Sequence, residues 1–365
     1  MSQPEPLYRE YARAQQRAIA GRGPGFNPPN RFERLRLSPD PEAEAEEAVD
    51  PRTEFYADAS ESLLASNDSP DVPWRFGINP YRGCEHGCAY CYARPYHEYL
   101  GWGSGLDFET KIMVKTRAPA LLRRELAKPS WVPQIVAMSG VTDCYQPAER
   151  HFRLTRRCLE VFAEFRNPVG IITKNFLVTR DADLLAELAR WHCAAVNLSI
   201  TTLDSGLASR LEPRAARPEH RLRALRQLAD AGVPVGVMVA PIIPGLNDHE
   251  VPEILAAAAR AGATRAGYTI LRLPWGVKDV FAAWLDQHEP GKKQRVLERV
   301  RELHGGRLSD GEFGRRFRGE GVFAQQIHDL FAVAARRAGF KREFAGLSAG
   351  HFRQPGGTQT ELNLG

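Results

Sequence analysis

Three cysteines, Cys84, Cys88 and Cys91, form the densest group of potentially reactive side chains in the sequence. They lie in the segment CEHGCAYC, with three residues between the first two cysteines and two between the second and the third. Cysteine thiolates bind zinc and iron–sulfur clusters, so this spacing predicts a metal site. Both kinds of site normally have four protein ligands. Three ligands leave one coordination position open, and an open position is typical of a reactive centre.

The presence of a fourth ligand separates two interpretations of this loop. His86 lies between two of the cysteines, where binding the same metal would strain the loop, whereas His97 has a more suitable spacing. With His97 as ligand, the protein would be a zinc-bearing nucleic-acid-binding module without catalysis. With the position open, the cysteines would hold a [4Fe–4S] cluster that has one free iron.

The elements that must position this loop alternate between strands and helices. Short apolar runs without polar alternation are typical of a parallel sheet that is covered by helices. Six strand–helix units predict an α/β fold, a partial (β/α)6 TIM-type barrel, with its chemistry at the C-terminal ends of the strands. The first strand leads directly into the cysteine loop. The predicted strands are WRFGINPY, PQIVAMSG, VGIITKN, AAVNLSITTLD, VPVGVMVAPIIPG and RAGYTILRLP.

Composition divides the chain into four predicted regions. Residues 1–52 combine Pro, Gly and dense charge and are predicted to be a disordered arm. Residues 53–275 are the predicted barrel, 276–352 a helical extension, and 353–365 a flexible tail. The formal net charge is +5. Its basic excess lies mainly in the helical extension.

The sequence predicts neither a membrane-spanning segment nor a secretory signal. The sequence has no apolar run of about 18 residues that would span a membrane. The segment MSQPEPLYREYARAQQRA lacks the apolar core of a secretory signal. We therefore expect a cytoplasmic protein, in which six cysteines indicate metal or catalytic chemistry rather than a disulfide framework.

The motif C-x3-C-x-aromatic-C, placed after a first strand and ahead of six strand–helix units, resembles the radical S-adenosylmethionine (SAM) superfamily. The resemblance covers roughly residues 75–275. It implies that SAM binds the open iron of a [4Fe–4S] cluster. Reductive cleavage of SAM would give a 5′-deoxyadenosyl radical that abstracts hydrogen from a substrate. An external one-electron reductant such as flavodoxin or ferredoxin would also be required.

A narrower resemblance rests on NPYRGCEHGCAYCYAR, TDCYQPAE and ITKN. These segments are similar to the branch that includes spore photoproduct lyase and its bacterial relatives. Spore photoproduct lyase reverses a thymine–thymine lesion in DNA. The resemblance therefore suggests DNA lesion repair as an alternative function, while the substrate itself is not given by the sequence.

The resemblance also implies roles for single residues. Cys84, Cys88 and Cys91 match the cluster ligands, and Tyr90 matches an aromatic residue near the SAM adenine. Thr142 and Asp143 follow the second strand, where the superfamily binds the SAM amino group. An Asx-type turn at these two positions is the structural alternative.

Further predicted SAM contacts follow the third and fourth strands. Lys174 matches a lysine near SAM and would suit its carboxylate. Ser199 and Thr201 lie where superfamily members contact the ribose. Arg214 follows them and is a second candidate for the SAM carboxylate.

Cys144 is the candidate catalytic residue. A cysteine of spore photoproduct lyase donates hydrogen to the substrate radical, but the corresponding position here is Gly140. Cys144 follows the same strand end and is predicted to act as that donor. The alternative is a buried loop cysteine. Cys158 and Cys193 are predicted to be core residues.

Two segments suggest nucleic acid or its machinery as partners. GRRFRGEG, in the basic extension, interleaves arginine with phenylalanine, a combination that suits phosphates and stacked bases, although a solvated helical face is the alternative. The segment Gln359–Leu364, QTELNL, resembles the short peptides that bacterial repair proteins insert into the sliding clamp.

Overall fold

A parallel sheet that forms an open barrel organises the protein. The computed structural model describes residue 19 and residues 21–32, 52–340 and 346–355. The strands are β1 (Glu54–Ala57), β2 (Ala65–Ser66), β3 (Phe76–Ile78), β4 (Tyr81–Arg82), β5 (Lys111–Val114), β6 (Val136–Met138), β7 (Val169–Thr173), β8 (Ala194–Ser199), β9 (Val235–Ile242) and β10 (Arg265–Ile270).

The six predicted strands are β3 and β6 to β10, and all six are confirmed. They pair in parallel in the order β10–β9–β8–β7–β6–β3, and β2 adds an antiparallel strand beside β3. The strand β6 is buried along its whole length, and β8 is buried at five of its six positions. Helices therefore cover the sheet as the apolar runs predict.

Helices alternate with these strands and continue beyond them. The α-helices are α1 (Asp107–Thr110), α2 (Ala118–Leu126), α3 (Glu149–Phe152), α4 (Leu154–Phe165), α5 (Ala182–Arg190), α6 (Ser205–Leu211), α7 (Pro218–Asp230), α8 (Val251–Arg260), α9 (Val277–His288), α10 (Lys293–Leu303) and α11 (Gly321–Arg337). Short 3₁₀ segments cover Arg94–Leu100, Phe176–Asp181, Asp248–Glu250 and Pro290–Lys292. None of the helices in the described ranges is long and apolar enough to cross a membrane.

The helical extension shares a core with the cysteine loop. Phe281 and Trp284 of α9 and Val296 of α10 are buried in one apolar cluster with Cys88 and Tyr90. The extension therefore packs onto the reactive loop instead of forming a separate unit.

A second, smaller sheet lies beside the cysteine loop and was missed at the sequence level. In it β5 pairs in parallel with β1 and antiparallel with β4. These strands are only two to four residues long. Such short strands lack the periodic signal on which sequence reasoning depends.

Residues 21–32, a part of the predicted disordered arm, lie within the described ranges. Residues 21–32 pack against the segment that follows the cysteine loop, and Asn30 is buried. The Leu106 backbone N–H donates to the Phe26 carbonyl (3.1 Å). A Cβ atom on Gly23 would lie 2.0 Å from the Gly87 carbonyl, so only glycine permits this approach. Residues 1–18, 20 and 33–51 lie outside the described ranges.

The segment 149–165 forms two helices, α3 and α4, which are separated by a break at Arg153, where φ is +52°. Glu149 accounts for the break. Its carboxylate accepts the Thr155 backbone N–H (3.0 Å) and the Tyr81 hydroxyl (2.5 Å). The bond from the Thr155 N–H satisfies a backbone donor that has no partner within the first turn of α4. Neither glycine nor proline marks the break.

Removing the carboxylate of Glu109 is expected to destabilise the fold strongly. Arg94 and Glu109 form an ion pair in which both side chains are fully buried. Glu109→Ala leaves the Arg94 charge unpaired, and we expect a loss of roughly 3–5 kcal/mol in the free energy of unfolding. The matched control is Glu164→Ala, which removes the partly exposed pair with Arg123 and should cost no more than about 1 kcal/mol. Urea unfolding of the metal-free protein measures both, and equal losses would contradict this account.

Candidate functional site

The cysteine loop is fixed by backbone contacts at several points. The Cys84 N–H donates to the Phe108 carbonyl (2.8 Å), and the Ala89 N–H donates to the Leu211 carbonyl (3.0 Å). Arg94 donates from Nε and Nη2 to the Cys88 carbonyl, at 3.0 and 2.8 Å. The buried Arg94–Glu109 pair therefore holds the middle of the loop from within the protein.

The three loop cysteines are unpaired thiols, and Cys84 and Cys88 are each only 7% exposed. Burial raises the pKa of Cys88 well above its usual range. Burial also raises the pKa of Cys91 to about 11, against the opposing effect of Arg94. Buried thiols of this kind ionise readily only when a cation compensates their charge, as a metal centre does.

His97, the candidate fourth ligand of a zinc site, is buried among aromatic rings. Within the described residues, no three Cys, His, Asp or Glu side chains converge in a way that would hold one metal ion. In a cubane cluster each thiolate binds a different iron. His97 packs against the rings of Trp102 (5.1 Å) and Phe108 (5.6 Å), and burial lowers its pKa to about 4. These contacts give no support to the zinc interpretation.

His86 connects the cysteine loop to the ends of two strands. Its Nδ1 lies 3.4 Å from Asp143 Oδ2, and its Nε2 lies 3.0 Å from Asn175 Nδ2. Burial alone would lower the pKa of His86, but Asp143 and Cys84 raise it to about 10. The sequence shows that His86 is in the loop. Its partners are more than 50 residues away, so sequence reasoning missed this role.

Thr142 and Asp143 form the predicted turn rather than an open binding surface. The Thr142 hydroxyl donates to the Tyr81 carbonyl (2.9 Å). The Asp143 carboxylate accepts the Tyr145 N–H (2.9 Å) in an Asx turn and the Lys174 N–H (2.8 Å). Its pKa is lowered, because these bonds and His86 outweigh the effect of burial. The predicted contacts with the SAM amino group are not supported by this geometry.

Four polar side chains meet at the ends of β7 and β8, close to the cysteine loop. Thr201 Oγ1 lies 3.1 Å from the Tyr90 hydroxyl and 2.6 Å from Glu212 Oε1. Lys174 Nζ lies 3.3 Å from Thr201 Oγ1, 3.4 Å from Glu212 Oε1 and 5.7 Å from the centre of the Tyr90 ring. The Tyr90 hydroxyl also donates to Glu212. We call Tyr90, Lys174, Thr201 and Glu212 the polar quartet.

Three of these four residues were predicted as SAM contacts, and the structure brings them together. Glu212 had not been given a role. No local pattern connects Glu212 with this site, because it lies 38 residues beyond Lys174 in the sequence. The quartet presents one cation, one anion and two hydroxyl groups beside Cys88 and Cys91, a set that can bind a polar molecule carrying both charges.

A buried arginine fixes Glu212 in its ionised form. Arg221 pairs with the carboxylate of Glu212 and donates to the Ser199 carbonyl (2.9 Å). Burial alone would raise the pKa of Glu212, but Arg221 and Lys174 hold it well below its usual range. Ser199 is buried and contributes its backbone carbonyl to this contact.

Arg214 does not contact the polar quartet. Its guanidinium pairs with Glu85 Oε1 (3.1 Å) and donates to Thr53 Oγ1 (3.2 Å). Its backbone N–H donates to the His86 carbonyl (3.2 Å). Arg214 therefore braces the cysteine loop, and the predicted contact with the SAM carboxylate is not supported.

Cys144 lies in the main core. Its side chain has no exposed surface, and burial raises its pKa well above the usual range. Its backbone carbonyl accepts the Thr155 hydroxyl (2.6 Å). This position favours the alternative of a buried loop cysteine and gives no support to hydrogen donation. Cys158 and Cys193 are also fully buried, as predicted.

The pKa of Glu212 leads to a prediction about acid stability. The pKa of Glu212 is lower in the folded protein than in the unfolded chain, where it is about 4.3. The ionised carboxylate therefore stabilises the fold fully above that pH, and this stabilisation is lost as the pH falls below it. We expect Glu212→Gln to cost roughly 3–5 kcal/mol at neutral pH, since Arg221 then stays buried and unpaired. The variant should also lose less stability than the wild type below about pH 4.

Urea unfolding of the metal-free protein at several pH values measures both effects. The exposed Glu187→Gln serves as the matched control and should follow the wild-type pH profile. A Glu212→Gln protein that is as stable as the wild type at neutral pH would contradict the role assigned to this pair.

Similarities to known proteins agree with this site. Residues 78–258 match the family model described as the radical SAM superfamily. An uncharacterized protein of Mycobacterium tuberculosis (strain ATCC 25618 / H37Rv) is 37% identical over 235 residues, which are 64% of this chain and 68% of that protein. A radical SAM Nα-GlyT isomerase of Pseudomonas phage M6 is 25% identical over 198 residues, 54% of this chain and 39% of the isomerase.

Solved structures share the fold. A mutant of spore photoproduct lyase superimposes with a TM-score of 0.58 at 16% identity, over 78% of this chain and 79% of that chain. The lyase complexed with dinucleoside spore photoproduct gives a TM-score of 0.56, also at 16% identity and with the same coverage of both chains. The partial barrel is therefore confirmed, and its cysteine loop stands where the sequence predicts it. The chain belongs to the radical SAM superfamily.

Proposed function

We propose that the protein cleaves SAM reductively and uses the resulting 5′-deoxyadenosyl radical to abstract hydrogen from a nucleic-acid substrate. The proposal rests mainly on a loop of three thiols, of which Cys84 and Cys88 are buried and Cys91 is half-buried, with the polar quartet directly beside it. Cys84, Cys88 and Cys91 would hold a [4Fe–4S] cluster, which supplies the electron for SAM cleavage when it is bound. We place this activity in the cytoplasm, with a protein as electron donor.

The chain's own residues would orient SAM and exclude water. Lys174 is the cation of the quartet and is the proposed partner of the SAM carboxylate. Glu212 is held as an anion and suits the SAM amino group. Thr201 and Tyr90 offer hydroxyl groups for the ribose side of the molecule. The apolar cluster around Cys88 and Tyr90 keeps the site dry, which strengthens each of these contacts.

A nucleic-acid substrate is favoured by exposed aromatic rings that stack with arginines. The Arg31 guanidinium lies over the rings of Phe32 (4.7 Å), Tyr99 (5.1 Å) and Trp275 (4.1 Å). These three rings are 54%, 65% and 59% exposed. Trp275 has a φ of +45°, a strained conformation for a non-glycine residue that is typical of functional sites.

A second group of rings surrounds Arg272, which follows β10 at the C-terminal edge of the sheet. Its guanidinium lies over the rings of Tyr92 (4.8 Å) and Phe317 (5.2 Å). Tyr92 directly follows Cys91, so this group borders the cysteine loop. Arg272 makes no ion pair within the described part of the chain. Rings beside arginines can stack with unpaired bases; Tyr92 is exposed, and Phe317, which is half-buried, belongs to the predicted segment GRRFRGEG.

Reconstitution with iron and sulfide under anaerobic conditions tests the proposed chemistry. We expect about four irons per chain, and 5′-deoxyadenosine from SAM when dithionite is the reductant. Cys84→Ala, Cys88→Ala and Cys91→Ala should each lose the cluster. Cys193→Ala is the matched control and should retain it. A wild-type protein that takes up one zinc and no iron–sulfur cluster would contradict the proposal.

The stacking surface gives a separate prediction for Trp275→Ala. One stacked base contributes roughly 1–3 kcal/mol, so we expect about tenfold weaker binding of a single-stranded oligonucleotide. Fluorescence anisotropy measures the dissociation constant. Val322→Ala, which truncates another exposed apolar side chain (78% exposed), is the control and should bind as the wild type does. Unchanged affinity in Trp275→Ala would remove this surface from the proposal.

DNA lesion repair is the second candidate function. The fold shared with spore photoproduct lyase, including its complex with dinucleoside spore photoproduct, favours it. The burial of Cys144 weighs against a hydrogen donor at that position. Incubating the reconstituted enzyme with dinucleoside spore photoproduct decides the matter. Repair to two thymidines supports this function, and an unchanged dinucleoside with normal SAM cleavage excludes it.

A sliding clamp is a further proposed partner. The segment Gln359–Leu364 lies outside the described residues, so this proposal rests on the sequence alone. The full chain should retain the bacterial clamp in a pull-down, whereas Leu362→Ala/Leu364→Ala should not, because both apolar anchors of the peptide are removed. Equal retention by both proteins, or by neither, would remove the clamp from the list of partners.

A further inference from the structure

A pocket rich in arginine opens beside the cysteine loop. Its volume is about 550 Å³. Four arginines and one histidine line it, and we call these five residues the arginine pocket: Arg22, Arg52, Arg150, His151 and Arg214. The proposed function uses none of them.

The pocket has a strong excess of positive charge. Among the lining residues that the structure describes, Glu85 is the one acid, and its Oε1 is paired with Arg214 (3.1 Å). Arg52, Arg150 and His151 are exposed. Neither Arg52 nor Arg150 makes an ion pair within the described ranges. A concave surface lined by charges of one sign attracts partners of the opposite sign and speeds their association.

One residue of the cysteine loop, Glu85, forms part of the pocket wall. Glu85 directly follows Cys84, and its backbone N–H donates to the Gln146 side chain (2.9 Å). Arg214 contacts Glu85 and the carbonyl of His86. A partner seated in the pocket would therefore contact the residue next to a cluster ligand.

We propose that the arginine pocket docks the acidic surface of a small one-electron carrier protein, which reduces the cluster held by Cys84, Cys88 and Cys91. The proposal rests on the proposed function. One electron passes from the carrier to the cluster, so the carrier is oxidised by one electron, and no proton or heavy atom is transferred. Electron transfer slows steeply with distance, and the pocket lies against the cysteine loop.

The character of the surface favours a redox protein over nucleic acid. Within the described part of the lining, Phe55 and His151 are the aromatic rings, so this surface offers few rings on which bases could stack. Redox partners form small, weak interfaces that depend on charge complementarity and exchange rapidly. Arg214 faces Glu85 rather than the polar quartet, which separates this surface from the proposed SAM contacts.

The experiment reverses the charge of the pocket in Arg52→Glu/Arg150→Glu. Recombinant flavodoxin is the probe, and biolayer interferometry measures its dissociation constant for the full chain at low salt. We expect about tenfold weaker binding by the double variant, and a wild-type affinity that falls as salt is raised. Arg190→Glu, at an exposed arginine at the end of α5, is the matched control and should bind as the wild type does.

A second readout separates docking from chemistry. With reduced flavodoxin as donor, the double variant should form 5′-deoxyadenosine about tenfold more slowly at limiting flavodoxin. With dithionite, a small reductant that needs no docking surface, its rate should equal that of the wild type.

Unchanged flavodoxin affinity in the double variant overturns the proposal, as does an equal loss of rate with both reductants. Weaker oligonucleotide binding together with normal flavodoxin affinity also overturns it and assigns the surface to nucleic acid. If wild-type protein forms no 5′-deoxyadenosine with dithionite, the proposed function fails instead. The binding measurement then still decides whether the pocket docks an acidic protein.

Discussion

The buried ion pair between Arg94 and Glu109 is the contact on which the reactive loop depends. Two guanidinium nitrogens of Arg94 bond to the Cys88 carbonyl, and Glu109 compensates the charge. This anchor holds the middle of the loop, between the contacts that the Cys84 and Ala89 backbone N–H groups make on either side. The cost of burying an ion pair is tolerated here because the pair sets the geometry of a metal site.

The surrounding structure supports the same loop on its other sides. His86 joins it to the turn at Asp143, Arg214 braces Glu85, and the helical extension completes the apolar cluster around Cys88 and Tyr90. The polar quartet lies next to this cluster, held by Arg221. The charged groups of the polar quartet thus lie beside the apolar cluster at one edge of the sheet. The former suit a polar cofactor, and the latter exclude water. That is the edge where parallel α/β folds generally place their chemistry.

The sequence predicts the parts of this arrangement that local pattern controls. Six apolar runs identify the parallel strands, and the spacing of three cysteines identifies the metal loop. Tyr90, Lys174 and Thr201 follow predicted strands and do come together. Side-chain partners that are distant in sequence are what local pattern does not show. Asp143 and Arg214 are polar residues at suitable strand ends, but each is bonded to backbone or to the loop. Cys144 faces the core, and neither periodicity nor spacing reports the direction of one loop side chain.

The central claim is that three thiolates leave one iron free for SAM. Electron paramagnetic resonance of the reconstituted, dithionite-reduced protein tests this claim most directly, in the presence and absence of SAM. An open iron predicts that SAM changes the g-values of the reduced cluster, since a new ligand alters its electronic structure. The Cys193→Ala protein should show the same change. A spectrum that is identical with and without SAM would mean that the fourth position is already filled, and it would contradict the account.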